Sequence, residues 1–123
     1  MDFTGFSFNP IYTPANQSED AAIINVFYWN NIIHDITYKY GFDEMSNNFQ
    51  IRNYYSSGPN NDDLETRIQS GQSCNAFYVS GEGGTRGPIT ILSICDGKDA
   101  SFDTTVIIHE YGHAIVELSL IHI

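Results

Sequence analysis

The sequence predicts an α+β fold: a small twisted sheet packed against one long buried helix and a second helix near the C-terminal end. Three observations predict it. Ala22, Val26, Trp29, Ile33, Ile36 and Tyr40 recur at steps of three and four, as one continuous helical face does. Three short runs, 64–69, 75–80 and 88–94, are rich in β-branched and aromatic residues and separated by glycine- and asparagine-rich turns, as strands are. From Asp103 the apolar residues return to helical spacing, now with two histidines four residues apart.

The 123 residues suit one domain or one lobe of a larger one. A hydrophobic fraction of 41% and an aromatic fraction of 14% supply enough large side chains for a core. The formal net charge of −10 argues against a nucleic-acid partner, because no basic patch is present to neutralise phosphate. No apolar run approaches the ~18–20 residues that span a bilayer, so no membrane partner is expected. The opening residues lack a basic stretch followed by an apolar one, so no signal peptide is expected within them.

Residues 1–17 read as an extended segment, with Gly5, Pro10 and Pro14 set among Phe3, Phe6, Phe8 and Tyr12. Asn16-Gln17-Ser18 fits a glycosylation sequon, but Ser18 followed by Glu19 and Asp20 reads better as a helix N-cap and first turn. Ile23, Phe27 and Ile32 widen the apolar face of the helix that follows, which predicts burial on more than one side, and Gly41 is its natural stop. His34-Asp35 lies inside it. Adjacent helical residues point about 100° apart, so hydrogen bonding to neighbouring elements is the better reading than a second metal site.

Residues 49–54 read as a short strand or an extended segment, and 56–63 as a loop. Leu64-Glu65-Thr66-Arg67-Ile68-Gln69 alternates as a half-buried strand. Residues 75–80 and 88–94 read as a hairpin around the glycine-rich stretch 81–87, which no Walker lysine follows. A symmetric closure sets Ser80 opposite Ile89 and Cys74 opposite Cys95, predicting a disulfide across the open end. It would close about twenty residues and contribute about 3 kcal/mol. Asp96 to Ala100 is a turn. Its acids could bind Ca²⁺ but lack the ligand spacing of a defined calcium loop, so solvated carboxylates are the better reading. Asp103 is the expected N-cap of the second helix, with Val106, Ile107, Ile108, Tyr111 and Ile115 as its buried face.

That helix carries His109-Glu110-Tyr111-Gly112-His113. The pattern should arise by accident in well under about 1% of chains this long. Residues four apart share a helical face, so both imidazoles can hold one Zn²⁺ at roughly 2.0–2.1 Å, with Glu110 beside them as a base for water. The chemistry implied is zinc-dependent peptide hydrolysis. A catalytic zinc takes three protein ligands. Glu117 is one turn past His113 but about 12 Å along the axis from His109, too far for all three to meet one ion. The third ligand is therefore expected from another element. The loop acids Asp62, Asp63, Asp96 and Asp99 offer no spacing in support.

Residues 25–35 (Asn-Val-Phe-Tyr-Trp-Asn-Asn-Ile-Ile-His-Asp), Tyr40-Gly41-Phe42-Asp43-Glu44, Asn48-Phe49-Gln50 and the His109–His113 motif resemble the fungalysin family of secreted zinc metallopeptidases. Asn75-Ala76-Phe77-Tyr78 is similar to the substrate strand of the related thermolysin family. The likeness covers about residues 9–117. Between Asn60 and Gly97 the chain looks closer to bacterial or thermolysin-like relatives than to the fungal enzymes. The resemblance implies a zincin-like N-terminal lobe over residues 18–117, Zn²⁺ on His109 and His113, and Glu110 as general base and proton shuttle. It also implies a protein or peptide substrate paired with the Asn75 side chain and the Ala76 backbone, secretion, and a monomer. In both families the third ligand is a later glutamate, and the stabiliser of the tetrahedral intermediate is also later. Residues 118–123, Leu-Ser-Leu-Ile-His-Ile, resemble a translated sequencing adapter and are expected not to be native. The expectation is a truncated peptidase lobe, inactive alone. The rival reading is a non-catalytic homologue that binds zinc or peptide.

Overall fold

The computed structural model describes residues 19–55, 60–70, 74–81 and 87–121, with side chains to 117. The extended segment at 1–17, Asn16, Ser18, the first half of the 56–63 loop, the tip of the glycine-rich hairpin and the side chains of the 118–123 tail lie outside these residues. Helix α1 spans Glu19–Lys39 and helix α2 spans Thr104–Ile121. Between them run β1 (Glu65–Arg67), β2 (Ala76–Val79), β3 (Ile89–Leu92), β4 (Ile94–Cys95) and β5 (Lys98–Asp99). The fold is α+β, two helices against small mixed sheets.

Helix α1 opens with Glu19 and Asp20 and closes with Lys39, which complements its dipole at both ends. Gly41 follows at φ +103, a left-handed position where a side chain would be strained, so the stop falls where the sequence places it. The buried face is shorter than the periodicity predicts. Ala22, Val26 and Ile33 are buried, but Ile36 is 51% and Tyr40 89% exposed. Phe27, expected to widen the face, is also exposed. The helix runs on past its partner, and apolar spacing alone cannot say where a partner ends.

The main sheet has the order β1-β3-β2. β2 runs antiparallel to β3 with Ala76 opposite Leu92 and Val79 opposite Ile89. β1 runs parallel to β3, with Thr66 opposite Thr90. Gly87 sits so close to the 62–63 backbone that an added Cβ would collide with the Asp63 carbonyl. β1 alternates exposed and half-buried as its sequence predicts. The 49–54 segment forms no strand. The turn at Asp96-Gly97 closes a second small sheet, β4 with β5, that the sequence reading did not contain.

The core joins both layers: Val26 and Ile33 from α1, Phe49 from the connecting loop, Leu92 from β3, and Ile107, Tyr111 and Ala114 from α2. Phe49 packs edge-on between Phe42 and Tyr111, with ring centroids 5.4 and 5.8 Å away. Polar pins fix the rest. Asn25 donates to the Ser101 carbonyl at 2.7 Å, tying α1 to the short 3₁₀ turn Ala100–Phe102 that leads into α2. Asn30 and Thr90 both reach the Thr66 hydroxyl, at 3.0 and 2.8 Å, tying α1 to the sheet. The Glu44 carboxylate is buried and accepts from the Tyr54 and Tyr55 amides at 2.9 and 2.6 Å, which folds the loop back without a strand.

Candidate active site

Helix α2 begins as its sequence predicts. The Asp103 carboxylate accepts from the Thr105 amide at 2.9 Å, and the Asp103 carbonyl accepts from the Ile107 amide at 3.1 Å. Ile107, Tyr111 and Ala114 then bury one face, with Val106 and Ile115 packed against the core. Ile108 departs from the expectation and is 46% exposed. Ala114, missed as a core position, is fully buried. With that face buried, the helix turns His109 and His113 outward, and both are exposed.

The two imidazoles converge. Their Nε2 atoms lie 2.9 Å apart, with ring centroids 4.6 Å apart and planes at 86°. Two nitrogens on one tetrahedral ion at roughly 2.0–2.1 Å would stand about 3.3 Å apart, so a small opening of the rings admits a zinc. Between them in sequence, Glu110 is buried, and its Oε2 has no hydrogen-bond partner. A buried carboxylate oxygen left unpaired is costly in a fold held only by its own contacts. Beside two converging histidine nitrogens it fits a metal and a water. The donor set, two neutral imidazoles and an adjacent carboxylate, is of the type that zinc takes.

His109, Glu110 and His113 line a cavity of about 710 Å³ together with Cys74, Asn75, Ala76, Phe77 and Tyr78. That volume is in the range of small-molecule and peptide sites. Asn75 and Ala76, singled out from the sequence as substrate residues, are thus in the same cavity as the metal motif. Ala76 opens β2, with Asn75 just before it, and β2 is an edge strand of its sheet among the described residues.

Cys74 and Cys95 form a disulfide, with Cα atoms 4.5 Å apart. The register that predicts it is off by one within the strands, where Ala76 faces Leu92. Three residue steps separate Leu92 from Cys95 and two separate Cys74 from Ala76. The extra residue is taken up at the break between β3 and β4, where Ser93 turns inward and donates to the Ser70 carbonyl at 2.6 Å. The bridge consumes both thiols of the sole trio of potential ligands among the described residues, Cys74, Cys95 and Asp96. Asp99 is buried and accepts from the Ser101 amide and the Gln69 side chain, both at 2.8 Å, so it is not the solvated carboxylate the sequence suggests.

No third ligand stands with His109 and His113 among the described residues. Glu117, further along the same helix, lies close enough to Tyr78 of β2 for its charge to act on the phenol. Burial, and secondarily the nearby Glu117 carboxylate, hold the Tyr78 hydroxyl well above the usual tyrosine range. Sequence reasoning missed this pair. Its signal was there, since Tyr78 alternates with Ala76 on β2 and Glu117 is one turn past His113 on α2.

Residues 2–118 match the model of the family described as fungalysin metallopeptidase (M36). The chain belongs to the fungalysin metallopeptidase family. It is 32% identical over 114 residues to "Probable extracellular metalloproteinase 4" of Trichophyton verrucosum and to "Extracellular metalloproteinase 5" of Trichophyton rubrum. Each alignment covers 89% of this chain and 18% of the relative. "Extracellular metalloproteinase 4" of Trichophyton soudanense is 31% identical over 114 residues, or 29% of its length. The chain therefore spans about a fifth of the length of the first two fungalysin relatives.

Proposed function

We propose that this chain supplies the metal helix and the substrate strand of a secreted zinc endopeptidase acting on protein or peptide chains. One observation carries the reading: two histidine Nε2 atoms converge to 2.9 Å beside a buried, unpartnered Glu110 oxygen, in a cavity floored by an edge strand. Zinc, when bound, supplies a Lewis acid that acidifies water and polarises a carbonyl. His109 and His113 would hold it. Glu110 Oε2 takes the proton from the attacking water and returns it to the leaving amine. The Asn75 side chain and the Ala76 backbone pair with an extended substrate, as an edge strand can. Membership of a metallopeptidase family and relatives named as extracellular metalloproteinases support the substrate class and the secretion.

The third ligand and the group that stabilises the tetrahedral intermediate come, on this reading, from outside the described residues. In the full-length protein that contains this chain, Glu110→Gln lowers peptide turnover by about 10²–10⁴ with zinc still bound. Steady-state kinetics and metal analysis of one preparation check this, and full activity in the variant would remove Glu110 from the proton path.

A further inference from the structure

The substrate strand and the metal helix are distant in sequence, and a covalent bond joins their surroundings. The β2–β3 ladder begins with Ala76 opposite Leu92, so Asn75 stands one residue outside it. Its neighbour Cys74 is bridged to Cys95. Cys95 belongs to β4, where it pairs with Lys98 of β5. Strand β5 ends at the buried Asp99, whose carboxylate accepts from the Ser101 amide in the 3₁₀ turn that leads into α2. The bridge is thus a short cut from the residue before Asn75 to the base of the helix that carries His109 and His113. Both cysteines line the same cavity as Asn75, Ala76 and these histidines. Cys74 is exposed and Cys95 half-buried, so a reductant in solution can reach the bond.

We propose that the Cys74–Cys95 disulfide is a redox-sensitive clamp on the peptide ledge: oxidised, it positions Asn75 and Ala76 beside the metal motif, and reduction lets them move. The inference rests on the peptidase reading of the site. It makes the two cysteines positioning residues that act through Asn75. Ladder hydrogen bonds hold β2 from Ala76 onward, and the bridge extends that hold to Asn75. The reductant is a small-molecule thiol. Two such thiols deliver two electrons and two protons, the S–S bond breaks, Cys74 and Cys95 become thiols, and the reductant leaves as its own disulfide. A peptide must then order the released residues itself, which shows as weaker binding rather than slower chemistry. His109 and His113 lie outside the loop that the bridge closes, so zinc stays bound.

The test uses the full-length, zinc-loaded protein in three forms, at a temperature where each is folded. They are the parent, the double variant Cys74→Ser/Cys95→Ser, and Ile33→Ala, which weakens the fold at a core position that does not line the metal cavity. Fixing the backbone of one residue is worth about tenfold in affinity, which sets the scale. The double variant should raise KM for a peptide about tenfold, with kcat within about twofold, zinc content unchanged and amide exchange about tenfold faster in residues 75–77. Ile33→Ala should keep the parent KM. Glutathione added to the parent should produce the KM of the double variant, and reoxidation should restore the original value, while the double variant responds to neither. An unchanged KM in a parent whose Cys74 and Cys95 are shown by mass spectrometry to be free thiols overturns the clamp, and this arm decides even if the double variant does not fold. An equal rise in KM in Ile33→Ala makes the effect general destabilisation and overturns the positioning role, as does zinc loss from the double variant. Exchange needs no turnover, so unchanged exchange in residues 75–77 overturns the clamp whatever becomes of the peptidase reading at Glu110.

Discussion

Helices α1 and α2 pack on one another through Val26 and Ile33 on one side and Ile107, Tyr111 and Ala114 on the other, and each carries histidine. Each also borders a cavity of about 710 Å³. Size does not distinguish the two cavities; the state of the donor atoms does. On α1, His34 is occupied at both nitrogens, with Nδ1 3.2 Å from Asp35 Oδ1 and Nε2 3.2 Å from the Asn48 amide nitrogen. Asn48 is fully buried and in turn donates to Gln50 at 2.5 Å, so that histidine belongs to a loop-fixing network. On α2, His109 and His113 aim at each other, with an unpartnered carboxylate oxygen next to them. A histidine whose nitrogens are taken up by the fold serves stability. A pair whose nitrogens face one point is, on the proposed reading, placed to hold an ion.

The contrast can be broken at several places. The largest stability effect belongs to α1: Ile33→Ala empties a core position and should lower unfolding free energy by about 2–5 kcal/mol, measured by denaturant titration, while zinc content stays that of the parent. Loss of metal in a variant that is still folded would mean that α1 takes part in the site. His34→Ala removes the ring from its network and should lower stability by about 1 kcal/mol, again with zinc and turnover unchanged. A fall in zinc content there would erase the distinction between the two helices.

The smallest effect is at their contact. Burial first, then the Asp35 charge, pushes the Tyr111 phenol up to about 12. An unfolded tyrosine ionises near pH 10. The contribution is therefore complete below about pH 10 and lost as pH rises through about 12. Tyr111→Phe should leave neutral-pH stability nearly unchanged and remove that part of the alkaline decline, followed by thermal melts across the pH range. An identical decline in the variant would place the titration elsewhere.

Much of this was legible from residues alone. The extent of α1, its Gly41 stop, the Asp103 cap, the partnership of Cys74 with Cys95 and the convergence of His109 with His113 follow from local rules of helix spacing, capping and hairpin closure. What was not legible depends on non-local geometry. No turn in the sequence says that β1 lies parallel to β3, because a parallel partner is chosen by the whole layer. The extra residue near Ser93 shows no break in the alternation that predicts the strand. Ile36, Tyr40 and Ile108 keep the helical spacing but are left exposed, and periodicity cannot tell a covered face from an open one. Tyr78 and Glu117 each looked ordinary in its own element, and only the crossing of β2 over α2 makes them a pair.

Metal content tests the central claim most directly. In the full-length protein, His109→Ala and His113→Ala should each lose the bound zinc on dialysis against a weak chelator, while Glu110→Gln, made at the residue between them, keeps one zinc per chain. Zinc retained at full stoichiometry by either histidine variant, or lost from Glu110→Gln alone, would contradict the assignment of ligands and base on helix α2.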